Sequence, residues 1–207
     1  MNNQRIVITC RVAYLHWKKP YSFSKSESDA NKKYMATLII PKGDRKSIEK
    51  INKAIEKALQ NGCKEKWNGK RPSDFKSPLK DGDEREDGDE TFANSFYITA
   101  KSKTAPEVVD QELRPIYDGN ELYSGCYCNV SFTLSPYTAG PHKGVTAILG
   151  NIQLVKKGNM IGRKCRAVDE FKVITDAAVT EFSVIKDDTT ASPTDTESED
   201  EYEQYIN

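Results

Sequence analysis

Alternation governs the first stretch of the chain. Over residues 5–17, Ile6, Ile8, Cys10, Val12 and Tyr14 fall on one face of an extended segment, with Thr9 and Arg11 on the other. A period of two is the mark of a half-buried strand. Lys18-Lys19-Pro20 is expected to end it. After a polar loop, Tyr34–Ile40 reads as a second strand stopped by Pro41-Lys42-Gly43.

From Asp44 the period changes. Ile48, Ile51, Ile55, Ala58 and Leu59 recur mostly at steps of three and four, with Lys and Glu between them. That spacing draws one apolar stripe on a helix. Asp44 has the acceptor a helix N-cap needs, and Gly62 is the expected stop. The stripe is a packing face over which charges meet solvent, with no catalytic implication.

Residues 64–91 are rich in Lys, Pro, Gly and acids and read as a long loop. Strand signals return at Phe92–Lys101, Leu122–Ser135 and Val145–Val155, and a shorter one at Phe171–Ile174 is placed to close the sheet. Turn-rich stretches such as Ser135-Pro136-Tyr137-Thr138-Ala139-Gly140-Pro141 separate them. About five strands, one main helix and long loops make a mainly β fold. Its expected form is an OB-fold, a five-stranded partly open barrel.

Charge divides this picture into two parts. The chain has 31 basic and 31 acidic residues, yet no Lys or Arg follows Lys186. The eight acids from Asp187 onward leave 23 acids against 31 bases before it, a body of +8. The domain expectation is therefore 1–186 for the barrel and 187–207 for an acidic tail, disordered because it cannot bury a core. A basic body points to a polyanion partner. No stretch reaches the ~20 apolar residues of a membrane span, and the N-terminus lacks the pattern of a signal peptide. Five cysteines without small-scaffold spacing fit a reducing cytoplasm.

The strand faces narrow the polyanion. In Phe92–Lys103, Phe92, Phe96, Ile98 and Ala100 share one face; Ala93, Ser95, Tyr97, Thr99, Lys101 and Lys103 share the other. In Leu122–Ser135, Leu122, Cys126, Cys128, Val130, Phe132 and Leu134 oppose Tyr123, Tyr127, Asn129 and Ser131. Any single Tyr on a half-exposed strand is explained by strand propensity. Recurrence on two strands beside Lys suits unstacked bases, which stack on aromatic rings at roughly 1–3 kcal/mol each. Tyr97, Tyr123 and Tyr127 are thus the expected stacking residues. Lys101, Lys103, Arg11 and Lys143 are the expected phosphate contacts. Other basic residues gather near turns, among them Lys32 and Lys33.

Catalysis has no visible home. Two histidines and no partnered nucleophile, phosphate loop or zinc spacing leave no constellation to carry it. Cys126 and Cys128 read as small buried residues rather than metal ligands. The run Asp81–Glu90 fails as a calcium loop, because Arg85 and Asn94 stand at ligand positions. It reads as a solvated loop. The expectation is no enzyme, no cofactor and no metal.

Val108-Val109-Asp110, Leu122-Tyr123-Ser124-Gly125-Cys126, Pro136-Tyr137, Lys143-Gly144-Val145, Leu149 and Gln153-Leu154-Val155 together resemble one phage family. Arg71-Pro72, Asp81-Gly82 and Gly158 add to the likeness, which spans roughly 5–174. It is the family of bacteriophage OB-fold single-stranded DNA-binding proteins. The layout is also similar to the replication proteins of T-odd coliphages, barrels with acidic, aromatic-ended tails. The resemblance implies sequence-independent coating of single strands in replication and recombination, in the cytoplasm of an infected bacterium. It further implies that Glu199, Asp200, Glu201, Tyr202, Glu203 and Tyr205 of the tail contact replication enzymes, and it leaves a homodimer open. The alternatives are a metal-dependent nuclease using the 81–90 carboxylates, and a protein-interaction adaptor that binds no DNA.

Overall fold

Residues 5–22, 31–73, 75, 77–140 and 142–162 are described by the computed structural model. The expected closing strand at 171–174 and the 187–207 tail lie outside them. β1 (Ile6–Tyr21) is long enough to serve two neighbours. Its first half pairs with β6 (Tyr127–Ala139) and its second with β2 (Lys33–Pro41), both antiparallel. β2 pairs in turn with β4 (Ser95–Ser102), and β6 with β7 (His142–Lys156). The ring is completed by a parallel pairing of β4 with β7, Ala100 beside Ala147 and Lys101 beside Ile148. The five-stranded OB barrel is therefore present, with a closed seam. Two short strands extend the edges, β3 (Lys80–Asp81) on β4 and β5 (Val108–Val109) on β7.

The inward set is the one alternation selects. Ile6, Ile8, Cys10 and Val12 of β1 meet Leu38 and Ile40 of β2, Ile98 of β4 and Val130 and Phe132 of β6 in one core. In β7 the buried positions change from Val145, Ala147 and Leu149 to Ile152. A register shift between Val130 and Phe132 opposite accounts for the change of phase. There the Ser131 hydroxyl accepts from Asn151 N at 2.7 Å, and it lies 3.2 Å from Asn151 O.

α1 (Arg45–Glu65) starts where expected, with the Asp44 carboxylate accepting from Ser47 N at 3.1 Å. Ile51, Ile55, Ala58 and Leu59 are its buried stripe, packed against β6, β7 and β1. Gly62 does not stop the helix, which runs on through Glu65. A Cβ on Gly62 would lie 2.5 Å from the Trp67 ring and 2.8 Å from Pro136 Cβ. The glycine is there for close packing: Trp67, 2% exposed, folds back over it and donates Nε1–H to Thr138 Oγ1 at 3.3 Å.

Several expected boundaries move. β1 runs through Lys18-Lys19-Pro20 to Tyr21, since the strand bends across two register shifts instead of ending. Tyr14 is not on the core face: the irregularity between Ala13 and His16 turns it outward, at φ +45° and 40% exposure. Phe92 leaves the Ile98–Ala100 face, because it sits in a 3₁₀ turn (Glu90–Phe92) ahead of β4. There it packs with Ala13 and Ile39 on the outside of the barrel. Leu122–Cys126 is loop, and β6 begins only at Tyr127. The 64–91 loop contains β3.

Candidate nucleic-acid interface

Register places one outward row across the sheet. Lys80 of β3 is opposite Tyr97 of β4, Tyr97 opposite Ile39 of β2, Ile39 opposite Arg11 of β1, Arg11 opposite Tyr127 of β6, and Tyr127 opposite Lys156 of β7. Directly opposed residues point to the same face, and strands lie about 4.8 Å apart. Tyr97 and Tyr127 therefore stand about 14 Å apart along the sheet, with Arg11 between them. The band of basic and aromatic side chains across the strands is interrupted at Ile39, which is 4% exposed and packs with Phe92.

At the Tyr97 end the band opens into a groove of about 940 Å³. Met35, Thr37 and Thr99 line its floor, and the two threonine hydroxyls are 3.1 Å apart across β2 and β4. Tyr14, Tyr97 and Tyr137 line it, with Tyr137 carried by the long β6–β7 hairpin. Gly144, opposite Tyr137, leaves room for that ring, since a Cβ there would come within 3.0 Å of it. Lys33, Lys80, Arg85 and Lys101 line the groove against a single acid, Asp87. Four cations among three tyrosines suit an anionic chain that carries flat bases.

The acidic run forms one wall. Lys42 bridges Asp81 at 2.8 Å and Asp83 at 2.6 Å, and these bonds hold both carboxyls below the usual aspartate range. Asp83 also accepts from Asn94 N at 2.7 Å, and Asp89 caps the 3₁₀ turn through Thr91 N. Arg85 is gripped by both oxygens of Asp87. That grip raises its pKa further above the ordinary arginine value, and its guanidinium carbon lies 4.1 Å from the Phe92 ring centre and 5.1 Å from that of Tyr97. These acids build the loop. Among the described residues, no three His, Cys, Asp or Glu are placed to share a metal ion.

The expected site residues are distributed unevenly. Tyr97 and Lys101 line the groove. Tyr127 and Arg11 lie in the same cross-strand row, where the Lys156 ammonium sits 4.6 Å from the Tyr127 ring centre. Arg11 is also a structural tie, donating Nε–H to Gly125 O at 3.3 Å and Nη2–H to Asn159 O at 2.8 Å. Tyr123 packs against the core and donates its hydroxyl to Gly158 O at 3.1 Å. Lys103 is exposed beyond the end of β4, and Lys143 is exposed on the hairpin opposite Thr138. Glu199, Asp200, Glu201, Tyr202, Glu203 and Tyr205 lie outside the described residues.

Tyr14, Tyr137, Lys80 and Arg85 were not among the expected contacts. Arg85 carries a signal in the sequence, as the one base inside Asp81–Glu90. Tyr137 was hidden in a stretch that reads as a turn yet continues β6 to Ala139.

A family model described as Enterobacter phage Enc34, ssDNA-binding protein, matches residues 4–182. The chain belongs to this family. Putative protein p50 of Acyrthosiphon pisum secondary endosymbiont phage 1 is 33% identical over 154 residues, covering 67% of this chain and 78% of that one. The solved single-stranded DNA-binding protein from bacteriophage Enc34, in complex with ssDNA, matches with a TM-score of 0.64 at 25% identity, over 76% of this chain and 89% of its own. Bacteriophage T7 gp2.5, also a single-stranded DNA-binding protein, matches with a TM-score of 0.54 at 16% identity, over 80% of this chain and 99% of its own, a likeness of fold. Within the described residues of this Enc34-family member, no helix is long and apolar enough to cross a membrane.

Proposed function

We propose that the chain binds single-stranded DNA without regard to sequence and without catalysis, in phage replication and recombination inside the infected bacterium. The observation that carries this reading is the groove between β2, β4 and the β6–β7 hairpin, where Tyr14, Tyr97 and Tyr137 stand among Lys33, Lys80 and Lys101. The Enc34 relative, solved with ssDNA, supports it. Bases stack on the tyrosines while the lysines follow the phosphates. From the groove the cross-strand row continues through Arg11 to Tyr127 and Lys156. Lys103, Lys143 and Tyr123 flank this path and are proposed as secondary contacts.

The 187–207 tail has the opposite charge to the body, with eight acids and no base. In this reading it competes with DNA for the cationic groove in the free protein. Once displaced, its Glu199–Tyr205 portion is open to replication enzymes. The test is the affinity for an unstructured oligonucleotide of the full chain and of a version ending at Lys186, at low and moderate salt. Truncation is expected to tighten binding at low salt, with a smaller gain as salt screens the tail. Equal affinity at low salt would remove self-competition from the account.

A further inference from the structure

Most of the positive charge of the body lies away from the groove. Residues 45–71, which are α1 and the turn after it, hold nine bases against three acids. Lys46, Lys50, Lys53, Lys57 and Lys64 recur at steps of three, four and seven, which sets them in one row along the helix. All five are exposed, on the side away from the buried Ile51, Ile55, Ala58 and Leu59. Lys50 donates to Val7 O at 2.8 Å, and Lys53 bridges Glu49 at 2.6 Å. Like charges three and four apart on a helix oppose its formation, so a row of lysines is a feature the fold does not need.

The complementary surface is on the same chain. Residues 107–121 hold five acids, Glu107, Asp110, Glu112, Asp118 and Glu121, against Arg114 alone. Among the described residues, Tyr117 and Leu113 are the most exposed large apolar side chains, at 78% and 69%. They stand on a tied loop. Asp110 Oδ1 accepts from Glu112 N at 2.9 Å and from Arg114 N at 2.8 Å, and Arg114 bridges Asp110 at 2.7 Å. A surface fixed beforehand loses little entropy on docking. Lysine stems are apolar enough to cover such side chains, and an ammonium over a tyrosine ring is a favourable contact.

We propose that the lysine face of α1 docks the 107–121 segment of a second copy of this chain, with Leu113 and Tyr117 against the lysine stems. The two faces enter from opposite ends of the β2–β4 pair. α1 follows the end where Pro41 is beside Ser95, and the acidic segment follows the end where Tyr34 is beside Ser102. The faces differ, so the contact is head-to-tail and leaves one face of each kind open for further copies. No residue of α1 or of 107–121 lines the groove, so each joined copy keeps its groove for a strand.

The test uses single-stranded DNA as the scaffold and to that extent rests on the proposed function. It measures affinity of the full chain, per bound copy, for a long polythymidylate and for an oligothymidylate short enough to hold one copy. Wild type is expected to bind the long strand more tightly. Lys46→Glu with Lys57→Glu reverses one face; Glu112→Lys with Glu121→Lys reverses the other. Each double variant is expected to lose at least about fivefold of the long-strand advantage, the scale of several exposed ion pairs with one cation over a ring. An equal mixture of the two is expected to recover it, because each supplies the face the other lacks. A mixture that recovers nothing overturns the pairing. So does a change of equal size on both strands, which would make the reversed face a DNA contact. A wild type with equal affinity for both strands overturns the contact and leaves the groove's reading standing. A wild type that binds neither strand overturns that reading, and sedimentation of concentrated protein at low salt then decides the contact. There, association in wild type and in the mixture but in neither variant alone supports it, and any other pattern overturns it.

Discussion

Single residues in this barrel do work that their types do not announce. Gly62 lies inside α1, where a glycine costs about 1 kcal/mol against alanine. The cost is offset by the Trp67 ring and Pro136, which occupy the space a Cβ would need. Gly62→Ala is therefore expected to lower stability by about 1–3 kcal/mol, the usual cost of overpacking, despite the better helix propensity. Urea unfolding followed through tryptophan fluorescence checks this, and an unchanged or higher midpoint would contradict the packing account. Tyr14 and Gly62 were illegible in the sequence for the same reason. Each is decided by what a distant segment brings to it, the 81–92 loop in one case and Trp67 in the other. Tyr97 and Lys101 were legible because β4 is a regular strand, and alternation alone separates them from Ile98 and Ala100.

At the scale of elements, regular strands and the helix followed their periodicity, and irregular segments did not. The inward faces of β1, β4 and β6 were largely readable because one register error would bury every polar residue of the strand. The 81–92 loop has no such period, so its acids read as solvated although they are engaged with Lys42, Arg85 and the backbone. Its ion pairs have a definite pH dependence. Asp81 and Asp83 are held below 3.8 chiefly by Lys42, and Asp87 chiefly by Arg85. A folded value below the unfolded one means that this support is complete above about pH 4, and is lost as pH falls through the folded values. NMR titration of the carboxyl carbons is expected to give midpoints below 3.8 for all three. Lys42→Ala should return Asp81 and Asp83 toward 3.8 while leaving Asp87 unmoved. A wild-type Asp81 midpoint at or above 3.8 would show that the loop is not tied as described.

For the whole molecule, the decisive arrangement is a cross-strand one that no single segment contains. Lys80, Tyr97, Arg11, Tyr127 and Lys156 come from five strands, and only the pairing register sets them in one row. The residue types were visible in the sequence; their alignment was not. Tyr123, in the loop before β6, donates its hydroxyl to Gly158 O, while Tyr127, on β6, joins the row. The barrel thus carries rings and cations on one outer face, in the groove at Tyr97 and again at Tyr127 and Lys156, on either side of the buried Ile39. Duplex DNA, with its bases paired and stacked, would supply phosphates to the lysines but no ring faces to the tyrosines. The most direct measurement is the affinity of the full chain for an unstructured oligonucleotide against the same sequence as a blunt duplex, at one moderate salt concentration. The account predicts clear preference for the single strand, by at least about fivefold if a single base stacks. Equal affinity for the two, or no binding to the single strand, would contradict it.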